Sequence, residues 1–185
     1  MTLMTFLSAC TGPNLDHYKE TTPRLDLQEY FSGPIKAWGI IQDRKGHVTR
    51  RFDVDLVGSW KGNTGTLEED FQFYDGETDK RTWTIKKISD TQYQGTAGDV
   101  VGTATGESQG NAVRWAYQMD LEVDGTTYRI TFDDWMFQMN DGVLINRSYL
   151  KKFGFTVAEL TLFMQKQDSH EQGTQSAEQQ KEGAQ

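Results

Sequence analysis

The strongest local constraint on the fold lies in residues 113–139, which read VRWAYQMDLEV-DG-TTYRITFDDWMFQM. An Asp-Gly pair between two alternating apolar stretches is a strong signal for a two-residue hairpin turn. This turn pairs Val123 with Thr126, and the further predicted pairs are Leu121 with Tyr128, Met119 with Ile130, Tyr117 with Phe132 and Trp115 with Asp134. One face is then nearly all apolar, and a slip of one residue would bury the charged face instead, so the register is well specified.

Alternating stretches of this kind follow one another from Ile35 to about Gln167, separated by turn signals such as Lys45-Gly46 and Asp75-Gly76. No segment of comparable strength has a helical period, which favours an antiparallel, up-and-down sheet. About ten sequential strands close into a barrel because closure removes the exposed edges. The sequence therefore predicts an all-β fold, a single antiparallel up-and-down barrel, with a short helical turn at 25–31 before the first strand.

The predicted register places a charged residue, Asp134, on the inward face. If Asp141-Gly142 is also a two-residue turn, Met136 pairs with Arg147 and Asp134 pairs with Tyr149. Arg147 then lies inside the barrel, diagonally from Asp134 and within reach of an ion pair. A three-residue turn would exchange the two faces of the following strand.

Two earlier stretches also place a charge among apolar neighbours. Glu69 shares a face with leucine and phenylalanine side chains, and Arg81 shares a face with Trp83 and Ile85. Inward charges indicate either a structural ion pair or a cavity lined by aromatic side chains with a few fixed polar groups. The candidate ligand-binding residues are Glu69, Arg81, Trp83, Trp115, Tyr117, Phe132, Asp134, Met136, Arg147 and Tyr149.

The glycine-rich segment at 95–112 has no Lys-Ser/Thr and no helical pattern after it, so it is not a phosphate-binding loop. Glycine within strands marks bends, bulges or a close approach of the backbone. We expect two short, strongly bent strands here that allow the barrel to close.

Catalytic and metal-binding patterns are sparse in this chain. The three histidines, His17, His47 and His170, are too scattered for a metal site. The groups suited to acid–base chemistry inside the barrel are carboxylates, chiefly Asp134 and Glu69. We therefore expect no metal and no cofactor. The net charge of −8 argues against a nucleic-acid partner.

The N-terminal tetrad Leu-Ser-Ala-Cys has the form of a lipobox, the motif that precedes a lipidated cysteine, here Cys10. The residues before it are too few for a complete signal peptide, so we interpret them as the end of one. The predicted segments are a signal remnant (1–9), a polar tether (10–24), the barrel domain (25–167) and a disordered tail (168–185).

Three stretches carry a resemblance to a known family: PRLDLQEYFSGPIKAWGIIQDRKGHVTRRFDVDLVGSWKGNTGTLEEDFQFYDGE, FDDWMFQMNDGVLINRSYLKKFG and VAELTLFMQK. Over about residues 23–166 the chain resembles an uncharacterised family of proteobacterial lipoproteins known by its domain-of-unknown-function label, DUF3833. The resemblance implies an envelope lipoprotein lipidated at Cys10, and it implies no established activity.

A more distant resemblance lies in YFSGPIKAW, which is similar to the start of lipocalins. Phe31 and Gly33 match that pattern, whereas Ile35 holds the usual tryptophan position and Trp38 follows three residues later. The resemblance implies a lipocalin-like β-barrel with an apolar cavity.

Our leading hypothesis is an envelope lipoprotein whose barrel binds or carries an apolar molecule, such as a fatty acyl chain or a lipid. Arg147 or Arg81 would hold a carboxylate head group. Lipid on Cys10 would attach the protein to a membrane, and Thr11 after it favours the periplasmic face of the outer membrane.

Two alternatives stay open. A lipid-modifying enzyme would use Asp134 as acid or base and Arg147 as an electrostatic stabiliser. A non-catalytic assembly or partner-binding protein would have a solid core and an exposed apolar patch. Binding is favoured over catalysis, and the sequence leaves the oligomeric state undetermined.

Overall fold

Ten antiparallel strands close into one barrel in the computed structural model, which describes residues 13–123 and 125–167. Each strand pairs with its neighbours in the sequence, and β1 closes the barrel against β10. The strands are β1 (Gly33–Asp43), β2 (Val48–Lys61), β3 (Thr64–Phe73), β4 (Thr78–Lys87), β5 (Gln92–Thr96), β6 (Ala104–Gln109), β7 (Ala112–Val123), β8 (Thr126–Gln138), β9 (Val143–Lys152) and β10 (Phe155–Lys166). The predicted all-β, up-and-down barrel is confirmed.

The register of the β7–β8 hairpin is the predicted one. Val123 pairs with Thr126, Tyr117 with Phe132, and the ladder continues through every pair predicted from the sequence. Gly125 has a φ of 74°, which glycine adopts without strain in the tight turns that suit hairpins. The large apolar residues of both strands consequently face the interior.

A short α-helix, α1 (Leu27–Tyr30), closes one end of the barrel, which we call the floor. Asp26 caps its first turn and is bound in turn by Lys87 at 2.5 Å. Lys166 Nζ donates to three carbonyls at the other end of the helix at distances of 2.8 and 3.0 Å. Contacts from β4 and β10 therefore hold the floor in place from two sides.

The floor also depends on a glycine in β2. A Cβ atom added to Gly58 would lie 1.8 Å from the carbonyl oxygen of Phe31, which itself accepts a hydrogen bond from Trp60 Nε1 at 2.9 Å. We expect Gly58→Ala to lower the free energy of unfolding by about 1–3 kcal/mol, because backbone must move to relieve the clash. Urea denaturation measures this loss. Gly98→Ala is the control, since its Cβ meets nothing within 4 Å, and an equal loss in both variants would contradict the prediction.

The opposite end of the barrel, which we call the mouth, carries an exposed aromatic hairpin tip between β9 and β10. Phe153 and Phe155 are 90% and 72% exposed. The tip turns through Phe153 and Gly154 with φ values of 50° and 83°, and a positive φ is strained for a bulky residue.

The N-terminal segment lies against the outside of the barrel near the floor. Its 3-10 helix, Leu15–Tyr18, buries Leu15 against Ala112 and Trp135, and Leu25 N donates to the carbonyl of Gly110 at 2.8 Å. The predicted polar tether at 10–24 includes this segment, in which Leu15 packs against the barrel. Cys10, the signal remnant at 1–9 and the tail at 168–185 lie outside the described residues.

Candidate functional site

The barrel interior contains a cavity of about 110 Å³ between the floor and the mouth. Most of its lining is apolar, contributed by the helix of the floor and by the inward faces of the strands. Its polar lining residues are Glu69, Arg81, Tyr117, Asp134, Asn146 and Ser148. The cavity exceeds the space needed for one water and is smaller than the roughly 300–1,000 Å³ of drug-sized pockets, so it suits a small or slender molecule.

An ion pair with mostly buried side chains spans neighbouring strands in the cavity wall. Arg81 Nε donates to Glu69 Oε2 at 2.7 Å, and the two side chains are 19% and 12% exposed. Arg81 Nη1 also donates to Asp99 at 3.4 Å. Burial raises the pKa of Glu69 despite the opposing charge of Arg81. Burial alone would lower the pKa of Arg81, but the negative charges of Glu69 and Asp99 raise it above the ordinary value. The guanidinium is therefore charged, and these two carboxylates already bind it.

A buried carboxyl, Asp134, lies on β8 opposite Ser148 of β9 and is 7% exposed. Burial raises its pKa to about 7, although the Ser148 hydroxyl and the charge of Arg81 pull the pKa down. Its Oδ1 atom has no hydrogen-bond partner among the residues that the structure describes. Burial, and next to it Asp134, raises the pKa of Tyr117 well above the usual value, so the phenol stays neutral.

Asp134 makes folding stability depend on pH in a defined direction. Its pKa in the folded state, about 7, exceeds the ordinary value of 3.8, so the folded protein binds an additional proton between these values. The free energy of unfolding therefore falls as the pH rises through this window. We expect Asp134→Asn to remove this pH dependence. The Tm of the variant, relative to that of the wild type, should therefore rise from about pH 4 to about pH 7.

The neighbouring carboxyl supplies the control with the opposite sign. Asp133 points to the outer wall, where Arg114 and Lys151 bind it at 2.7 and 2.6 Å and lower its pKa against the effect of burial. The ion pairs of Asp133 stabilise the fold at pH values above the pKa that this carboxyl has in the unfolded chain. This stabilisation is lost as the pH falls through the lower pKa that the carboxyl has in the folded protein. Asp133→Asn should thus be most harmful near neutral pH. Parallel pH profiles for the two variants would contradict both assignments.

The β8–β9 turn contains three residues rather than the two that we predicted. Gln138 pairs with Leu144, which leaves residues 140–142 as the loop, and Asp141 itself has a φ of 58°. The faces of β9 are therefore exchanged relative to the prediction. Arg147 lies opposite Trp135 on the outer wall and binds Glu159, so the predicted ion pair with Asp134 is wrong.

The exchange of faces changes which residues of β9 belong to the site. Tyr149 lies on the outer wall opposite Asp133 and does not line the cavity. Asn146 and Ser148, which we did not predict, are the inward polar residues of this strand. The open alternative of a three-residue turn was the one signal in the sequence that pointed to them.

The structure brings together most of the other predicted site residues. Glu69, Arg81, Trp83, Trp115, Tyr117, Asp134 and Met136 all line the cavity. Phe132 points inward but lies nearer the mouth, where its ring stacks on Tyr117 with centroids 4.9 Å apart. It packs there in a second apolar cluster with Met119, Ile130 and Leu150.

A comparison with known protein families matches residues 4–166 to the model described as Protein of unknown function (DUF3833). The chain belongs to this family. The predicted resemblance to DUF3833 is thereby confirmed, and no curated protein matches the chain. The match includes all ten strands, so the cavity and its polar cluster lie within the DUF3833 domain.

The glycine-rich segment of this DUF3833 domain makes room for a cavity-lining tryptophan. A Cβ atom on Gly106 would lie 2.3 Å from the Trp115 ring, and one on Gly95 would lie 2.6 Å from it. The ring thus packs directly against the backbones of β5 and β6, which are the shortest strands. The glycines are needed for this close approach.

Two other features, a grouped set of metal-binding side chains and a membrane-spanning helix, are absent from the residues that the structure describes. Within 13–123 and 125–167, no three His, Cys, Asp or Glu side chains are grouped as a metal ion would require. No helix in these same ranges combines the length and the apolar composition of a membrane-spanning helix.

Proposed function

We propose that the barrel binds a small or slender apolar molecule in its cavity, a fatty acyl chain or another lipid-like compound. The observation that carries this proposal is the interior cavity of about 110 Å³, whose apolar walls surround a small cluster of polar groups. Ligand sites commonly have this composition. A barrel that served only as a scaffold has no need of such a space, because side chains fill protein interiors to high density.

Extraction of the purified protein with organic solvent, followed by mass spectrometry, tests the proposal. Val54 lines the cavity and is 1% exposed, so Val54→Phe should fill the space and abolish co-purification of an apolar molecule. Val57→Phe is a matched control on the outer wall of the same strand, where Val57 is 46% exposed. A wild-type extract without an apolar molecule, or equal recovery from both variants, would count against the proposal.

We also propose that the protein is an envelope lipoprotein, attached through lipid on Cys10 to the periplasmic face of the outer membrane. The lipobox-like tetrad at residues 7–10 supports this, as does the fact that Cys10 is the single cysteine of the sequence. Lipidation adds stable membrane attachment when several acyl chains are present. Palmitate labelling in the native host should mark the wild type and not Cys10→Ser, and fractionation should place the label in the outer membrane. Label retained by Cys10→Ser would overturn the assignment.

A second candidate function, catalysis on a lipid-like substrate, is favoured by Asp134. Its pKa of about 7 lies in the range suited to a general acid or base at neutral pH. Arg147 takes no part in such a reaction because it lies outside the barrel, which leaves Arg81 as the cation lining the site. Turnover of p-nitrophenyl acyl esters by the wild type and not by Asp134→Asn would support this candidate. Absence of turnover in the wild type would count against it.

A further inference from the structure

Two buried acceptor atoms in the cavity have no hydrogen-bond partner. Oδ1 of Asp134 and Oδ1 of Asn146 are both unpaired within the part of the chain that the structure describes. The two residues are 7% and 5% exposed, and both line the cavity. A buried acceptor without a partner is destabilising, so a molecule that donates to these atoms gains affinity from them.

A hydrogen bond to Ser148 engages the nitrogen of the Asn146 amide. Asn146 Nδ2 donates to Ser148 Oγ at 3.0 Å. The oxygen of the same amide has no partner among the described residues. Because an amide oxygen only accepts, Asn146 Oδ1 is available to a group that donates a hydrogen bond.

The charges in the cavity disfavour a carboxylate head group. Arg81 is the one cationic side chain among the described lining residues, and Glu69 and Asp99 already bind it. An added carboxylate would meet an engaged guanidinium and the acidic groups Glu69 and Asp134. A group that donates hydrogen bonds meets two free acceptors in the same space.

We infer that, if the cavity binds an apolar molecule as proposed above, the polar end of that molecule is a hydrogen-bond donor, a hydroxyl or an amine. An amine can donate to both Asp134 Oδ1 and Asn146 Oδ1, whereas a hydroxyl has one proton and donates to one of them. The apolar chain lies along the aromatic wall. This differs from the fatty acid that the sequence led us to expect, in which Arg81 or Arg147 would hold the carboxylate.

Four octyl-scale probes separate the head groups: n-octanol, octylamine, octanoate and methyl heptyl ether, an isomer of octanol whose oxygen only accepts. The change in tryptophan fluorescence on adding each probe measures its binding to the full chain at about pH 8. Trp83 and Trp115, which line the cavity, should report the bound probe. Octanol and octylamine should bind about tenfold more tightly than octanoate and the ether. Asn146→Leu removes one of the two acceptors, so it should lower the advantage of octylamine, which has protons for both, more than that of octanol, and it should leave the ether affinity unchanged.

Two further variants complete the test. Asp134→Asn keeps an acceptor and loses the charge, so it should keep the preference for octanol and reduce that for octylamine. Gln118→Leu replaces an exposed amide on β7 and should change nothing. Equal binding of all four probes, or tightest binding of octanoate, overturns the head-group assignment and leaves the proposed function standing. Binding of no probe overturns both.

Discussion

Arg81→Ala is expected to lower the free energy of unfolding by about 3–5 kcal/mol near pH 7, because it leaves the carboxylate of Glu69 buried without its partner. Glu69 is 12% exposed and lies on the cavity wall. The loss should shrink in acid, since a protonated Glu69 carries no charge to desolvate. Urea denaturation at about pH 7 and about pH 4 gives both values.

Two other variants show whether the loss comes from the unpaired charge. Arg129 pairs with Asp120 on the exposed outer wall, so Arg129→Ala should change the stability little. The double variant Glu69→Leu, Arg81→Met removes both charges and should recover most of the stability lost in Arg81→Ala. A double variant as unstable as Arg81→Ala would show that packing, rather than charge, explains the effect.

Trp115→Ala is expected to destabilise the barrel by about 3–5 kcal/mol, the range for large-to-small changes at buried aromatic residues. Trp115 is 5% exposed and meets Trp83 edge to face with ring centroids 5.7 Å apart. The truncation should also enlarge the cavity. The change in the midpoint of urea denaturation measures the loss. Trp38→Ala should lose much less stability, because Trp38 lies on the outer wall and is 42% exposed.

Gly106, which packs against the Trp115 ring, allows a second test of this contact. In the wild-type background, Gly106→Ala should destabilise, because its Cβ would lie 2.3 Å from the Trp115 ring. In the Trp115→Ala background the same change should be neutral or stabilising, because the methyl group enters vacated space and restricts the unfolded chain. An equal loss in both backgrounds would contradict the proposed contact.

The β7–β8 hairpin could be predicted from the sequence because two independent signals agree there. The Asp-Gly turn fixes the register, and the same register gathers the large apolar residues on one face. Trp115 and Asp134 were placed on the inward face by these two signals, and Trp83 by the alternation of its own strand alone; all three line the cavity.

The register of β9 could not be predicted, because its two faces are nearly equal in polarity. The inward face carries Leu144, Asn146 and Ser148, while the outer face carries Ile145 and Arg147. Neither alternative gathers apolar residues clearly, so only the turn length decides between them. The Asp141-Gly142 pair does not decide the loop length, because Asp and Gly tolerate a positive φ in two-residue and three-residue loops alike.

The position of the N-terminal segment has a consequence for orientation. Leu15, near the start of the described residues, packs against Ala112 and Trp135 beside the floor. If Cys10 is acylated as we propose, this contact favours an orientation in which the floor faces the bilayer. The mouth and its aromatic tip would then face away from that bilayer, so a molecule bound in the cavity would leave toward the opposite side.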